Sequence, residues 1–168
     1  MKQEYPEEFP LPENYLLELG HITVLWANLE AEVKVAINYL SGVGELDQWR
    51  VYILTAHCGF QERVDIVETL YKQLQGVLPE FAEFSQVVKL IRAAQKERDR
   101  YTHNTLAMNE KKQVQITRQQ AQGSLKVKVE LVSPSDLKNV SRKIHLAILA
   151  LDVLIKGVKN RPIWEKER

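Results

Sequence analysis

Arg98-Asp99-Arg100-Tyr101-Thr102-His103 gathers five ionisable or phenolic side chains into six consecutive residues. A guanidinium grips phosphate through its fork of N–H donors, and an imidazole moves a proton near neutral pH. Asp99 and His103 stand four residues apart, so on a helix they share a face where the carboxylate orients the ring. Arg98 follows Ile91 by two turns and continues that helix's inward stripe. A buried guanidinium is costly unless paired, which places it at a site or an interface. Together these groups suit phosphate chemistry, with arginine on the phosphate and histidine as general acid or base. The same charges also suit a solvated helix end, where cations complement the helix dipole.

Most other catalytic signatures are missing. The chain has no glycine-rich phosphate loop, no Gly-x-Ser-x-Gly elbow and no dinucleotide fingerprint. His21, His57, His103 and His145 form no pair at the spacing of a helical metal site, so no metal and no other cofactor is expected. His57-Cys58 has the residue types of a thiol nucleophile and its base. Neighbours on a helix point about 100° apart, however, which favours a small core cysteine beside an uninvolved histidine. Glu30 lies one turn after Trp26 and reads as part of a solvated face in preference to a cleft carboxylate. Tyr101 either stacks on a base or closes the core. Lys111, Lys112, Arg118, Lys126 and Lys128 outnumber Glu110 and Glu130. That excess either guides an RNA backbone or forms a strand face of alternating charge, the second being favoured. Trp26 and Trp49 read as core or dimer surface.

Four amphipathic helices must position these groups. The first runs from Asn14 to Leu40 on a stripe of Ile22, Trp26, Leu29, Val33, Ile37 and Leu40. A second, from about Trp49 to Leu74, carries Trp49, Ile53, Ala56, Phe60, Val64, Val67, Leu70 and Leu74, with Gly59 as a weak point. The third begins near Pro79 and runs through Phe81, Phe84, Val88, Ile91 and Gln95 into the Arg98 to His103 segment. Beyond it the period drops to two: Val114 and Ile116, then Leu125, Val127, Val129 and Leu131. That pattern predicts a β-hairpin turning within Gln119 to Gly123, with a short extra strand at Leu106 to Met108. Ser133-Pro134-Ser135-Asp136 then opens the last helix, which carries Leu137, Val140, Ile144, Ile148, Leu151 and Ile155 and stops at Gly157. The expected fold is mainly α: an antiparallel four-helix bundle with a β-hairpin inserted before the last helix.

Composition bounds the partners. The 168 residues include 23 basic and 22 acidic side chains and one cysteine, with 45% apolar and 27% charged residues. This is the profile of one ordinary globular domain over 1–168, with an arm at 1–12, the insertion at 105–132 and a loose tail at 159–168. A disulfide scaffold is excluded because Cys58 has no partner within the chain. A net charge of +1 argues against wrapping nucleic acid by bulk charge alone. Met1 to Pro12 is acidic and lacks the apolar stretch of a signal peptide. The longest apolar run, Ile144 to Ile155, is interrupted by Asp152 and too short to span a bilayer. A cytoplasmic protein with no membrane partner is the expectation.

Arg98-Asp99-Arg100-Tyr101-Thr102-His103 resembles the signature of the HEPN superfamily: an arginine, commonly a polar residue, three further residues and a histidine. The setting is also similar, since that family builds four-to-five-helix bundles with the motif near the end of a long helix. Some members insert strands before the last helix. The resemblance implies a metal-independent endoribonuclease, found in defence or toxin systems. It acts as a homodimer whose two subunits line one composite site. Arg98 would neutralise the scissile phosphate, His103 would act as acid or base while the ribose 2′-hydroxyl attacks, and Asp99 would hold the geometry. Arg100, Tyr101, Lys126 and Lys128 are the candidate RNA contacts. One departure is Thr105, two residues after the histidine, where toxins of one HEPN group carry a tyrosine modified by nucleotide transfer. That control is not expected, and no protein antitoxin or other regulator is identifiable. The alternative is a non-catalytic HEPN-like module that binds RNA, a nucleotide or a protein.

Overall fold

The structure, a computed structural model, describes residues 10–75 and 84–157. Over these residues the chain is mainly helical, with one small three-stranded antiparallel sheet. Helix α1 spans Glu13–Leu40. Its apolar stripe faces inward: Ile22, Leu29 and Val33 are fully buried and Trp26, Ile37 and Leu40 nearly so. Tyr15 in its first turn donates to the Val132 carbonyl at 2.9 Å, tying the start of α1 to the end of the sheet.

The stripe expected over Trp49 to Leu74 is carried by two helices, α2 (Gln48–Leu54) and α3 (Phe60–Leu74). Local hydrogen bonds account for the break. Thr55 Oγ1 donates to the Val51 carbonyl at 2.8 Å, where α2 stops. Gly59 N–H then donates to Glu62 Oε2 at 2.5 Å, and its extended backbone suits an N-cap. The break turns Trp49 and Ile53 outward, 54% and 63% exposed, and leaves Val51 as the buried residue of α2. His57 and Cys58 therefore lie in a turn and not on a helix, with Cys58 half-buried.

Helix α4 spans Phe84–Thr102. The start expected near Pro79, with Phe81, lies outside the described residues, as do most of the N-terminal arm and the whole C-terminal tail. Phe84 stacks on Tyr71 of α3, ring centroids 4.3 Å apart and 9° from parallel. Val88, Ile91 and Ala94 continue the buried face toward the Arg98 segment.

Three strands follow: β1 (Thr105–Met108), β2 (Val114–Gln122) and β3 (Ser124–Leu131), in spatial order β1-β2-β3. The turn is tighter than expected. β2 continues through Gln119 and the chain reverses at Gly123, whose φ of +70° is open to glycine at no steric cost. Register decides which side faces the helices. Ile116 is fully buried and pairs with Glu130, so Glu130, Lys128 and Lys126 share its face. The alternating aliphatics of β3 consequently point away from the core, with Leu125 71% and Leu131 62% exposed.

Helix α5 spans Pro134–Lys156 and ends at Gly157, whose φ of +64° makes a left-handed cap. It packs against α1 and α4, α3 packs against α1 and α4, and β1 adjoins α4. Its start is a reciprocal cap. Asp136 N–H donates to Ser133 Oγ at 3.2 Å, while Ser133 N–H and Oγ donate to Asp136 Oδ2 at 2.8 and 2.7 Å. Those donors hold the Asp136 carboxyl below the usual aspartate range, outweighing the opposing effect of burial. Ser133→Ala should lower unfolding free energy by about 1 kcal/mol at neutral pH, read from denaturant titrations. A lowered folded pKa means that the stabilisation is present above the ordinary aspartate value and is lost as pH falls through the folded one. The gap between wild type and variant should therefore shrink below about pH 4. A gap independent of pH would contradict the cap.

Candidate functional site

The last turn of α4 and the residue after it bring three functional groups together. Arg98 Nη1 lies 3.0 Å from Asp99 Oδ1 and 3.1 Å from His103 Nε2. Asp99 Oδ1 and His103 Nε2 are 3.4 Å apart. Residues five apart on a continuous helix project about 140° from each other, so a longer α4 would separate Arg98 from His103. Instead α4 stops at Thr102. His103 is the first residue beyond it and its N–H closes the last turn on the Asp99 carbonyl at 3.2 Å, which lets the ring fold back. Asn104 Nδ2 caps the next carbonyl, that of Arg100, at 2.8 Å.

Exposure is graded across the three side chains: Arg98 25%, Asp99 37% and His103 64%. The imidazole is thus open to a ligand, while the guanidinium is anchored. Its anchor is Trp26 of α1: the Arg98 guanidinium carbon sits 4.8 Å from the ring centroid, within cation–π range. Trp26 is itself fixed on both sides. Its Nε1–H donates to Glu30 Oε1 at 2.9 Å and its ring tilts against Phe60 of α3, centroids 4.3 Å apart. Glu30 is therefore a half-buried support for the indole. This support replaces the solvated face expected for Glu30, and the one-turn spacing from Trp26 to Glu30 is the sequence signal that marks it.

His103 can exchange partners with its protonation state. A neutral ring carrying its proton on Nδ1 accepts from Arg98 through Nε2, whereas an imidazolium presents Nε2–H to Asp99.

The remaining candidates separate from this trio. Arg100 points to the sheet, forming an ion pair with Glu130 and lying over the Tyr101 ring, 5.2 Å from its centroid. Tyr101 is 6% exposed, and burial pushes its hydroxyl pKa up. Its ring closes the core, so the base-stacking role is corrected. Lys126 and Lys128 are exposed on β3, Lys128 ion-pairing with Glu130. Between α4 and β2 lies an open groove of about 400 Å³ lined by Lys96, Glu97, Asp99, Arg100, Asn104 and Arg118.

Among the described residues no helix is long and apolar enough to cross a membrane, and no three His, Cys, Asp or Glu side chains gather as a metal site. No family model, curated protein or solved structure matches the chain.

Proposed function

We propose that this protein is a HEPN-like, metal-independent endoribonuclease. The observation that carries the reading is the trio of Arg98 Nη1, Asp99 Oδ1 and His103 Nε2, all within 3.4 Å of one another at the exposed end of α4. In this reading α1, α3, α4 and α5 are the four helices of a HEPN-like bundle, α2 is an extra turn before α3, and the sheet is the insertion. An RNA phosphate takes the place of Asp99 on Arg98, which offsets the charge that builds on the phosphoryl oxygens. The neutral His103 ring removes the proton from the 2′-hydroxyl as that oxygen attacks phosphorus. The bond to the 5′-oxygen breaks, leaving a 2′,3′-cyclic phosphate and a 5′-hydroxyl.

The leaving oxygen needs a proton from a second acid, and one chain supplies one such histidine. A homodimer with its two-fold axis beside the motif would repeat Arg98 and His103 across one cleft. Val24, 62% exposed on α1, and Val35 are apolar residues off the main stripe, but Val24 stands two residues from Trp26 and projects about 160° away from the face that carries Arg98, and Val35 is half-buried, so neither marks the surface of such a dimer. Asp99 would separate the two guanidinium groups.

The test is incubation of purified protein with RNA in excess chelator, with light scattering on the same sample. Cleavage and twice the 19.5 kDa chain mass are expected. A strict monomer would refute the composite site. The net charge of +1 and the lack of an RNA-binding motif suit the alternative, a non-catalytic HEPN-like module that binds RNA, a nucleotide or a protein, and RNA bound without turnover would move the reading there.

A further inference from the structure

The groove between α4 and β2 has an uneven charge balance. Each of its carboxylates is already engaged: Glu97 with Lys143 at 2.8 Å, and Asp99 with Arg98 at 3.0 Å. Arg100 is matched by Glu130. Two cations are left over, since the side chains of Lys96 and Arg118 have no ion-pair or hydrogen-bond partner among the described residues. Arg118 is half-buried and lines the groove. Register extends the strip: Arg118 pairs directly with Lys128, and the next rung on the same face is Gln120 with Lys126. Asp99 lines the groove and also touches Arg98 and His103, so the surplus charge begins where the trio ends.

We propose that this groove is a phosphate track that holds the single-stranded RNA backbone beside the scissile phosphodiester. Lys96 and Arg118 are its principal contacts, and its outer end is formed by Lys126 and by Lys128, which shares Glu130 with Arg100. This rests on the ribonucleolytic reading only for the position of the scissile phosphate; the track itself is a binding claim. It means that the ligand is a polynucleotide and not a mononucleotide, because two phosphates are read at once.

The test measures binding of an eight-nucleotide RNA to the His103→Ala protein in chelator across a salt series, where cleavage plays no part. Losing one phosphate contact should reduce the log–log salt slope by about 0.7 and weaken binding about fivefold at 0.1 M salt. Lys96→Ala and Arg118→Ala should each do so, and the double variant should lose about twice the slope. Lys89→Ala, an exposed lysine in a different groove of α4, is the control and should change neither quantity. Inorganic phosphate and uridine monophosphate should compete only far above the oligonucleotide's concentration. Unchanged slopes in both variants would overturn the track even if wild type cleaves RNA. Equal affinity for uridine monophosphate and the oligonucleotide would also overturn it, in favour of a single-phosphate pocket. Slope losses in a protein that never cleaves would uphold the track and defeat the nuclease reading.

Discussion

His103→Ala should slow RNA cleavage by about 10²–10⁴-fold, the usual contribution of a general acid or base. Arg98→Ala should cost about 10²–10³-fold, as expected for loss of one preorganised charge facing the phosphate. Arg98→Lys should restore little. An ammonium could stand in for the single nitrogen, Nη1, that reaches both Asp99 and His103, but it has no flat face to lie over Trp26 and no second terminal N–H group to fork onto a phosphate. Asp99→Asn should fall between wild type and these variants, because the amide keeps the shape but no longer stabilises an imidazolium 3.4 Å away. Single-turnover rates with circular dichroism as the folding control make the comparison. Arg98→Ala or His103→Ala cleaving at the wild-type rate would remove that residue from the chemistry.

Trp26→Ala should be the most damaging change to stability, costing about 3–5 kcal/mol. The ring is 6% exposed, packs on Phe60 and underlies Arg98, so its removal opens a cavity where α1, α3 and α4 meet. Trp26→Phe separates packing from polar support. It keeps an aromatic face beneath the guanidinium but removes the N–H that Glu30 accepts at 2.9 Å. That variant should lose only about 1 kcal/mol beyond its smaller volume, and retain more activity than the alanine variant. Urea unfolding followed by Tyr and remaining Trp fluorescence reads the first effect. A loss under 1 kcal/mol for Trp26→Ala would show that the indole does not bridge the helices.

The residues that were legible in advance are those governed by local periodicity. The α1 stripe and the Ser133 cap depend on spacings of three and four, which the sequence displays directly. The break at Thr55 to Gly59 was hidden because the apolar stripe continues through it, and a glycine costs too little to end a helix unaided. Hairpin sidedness was hidden for a different reason. Alternation groups Leu125, Val127, Val129 and Leu131 on one face, but cross-strand pairing of Ile116 with Glu130 sets which face is inward. At the site, the four-residue step from Asp99 to His103 was readable. The meeting of His103 with Arg98 depends on α4 ending at Thr102, and the Trp26 platform depends on packing between elements 72 residues apart in the chain. Tyr101 was ambiguous because its burial follows from the sheet and α5 closing over α4, a tertiary effect.

The most direct measurement is the chemistry of the RNA ends produced in excess chelator by wild type and by His103→Ala. Attack by the 2′-hydroxyl predicts 2′,3′-cyclic phosphate and 5′-hydroxyl ends from wild type, no cut at positions bearing 2′-deoxyribose, and near-complete loss of both ends with His103→Ala. Products with 5′-phosphate ends, cleavage at 2′-deoxy positions, or an unchanged product pattern from His103→Ala would contradict the proposed reaction.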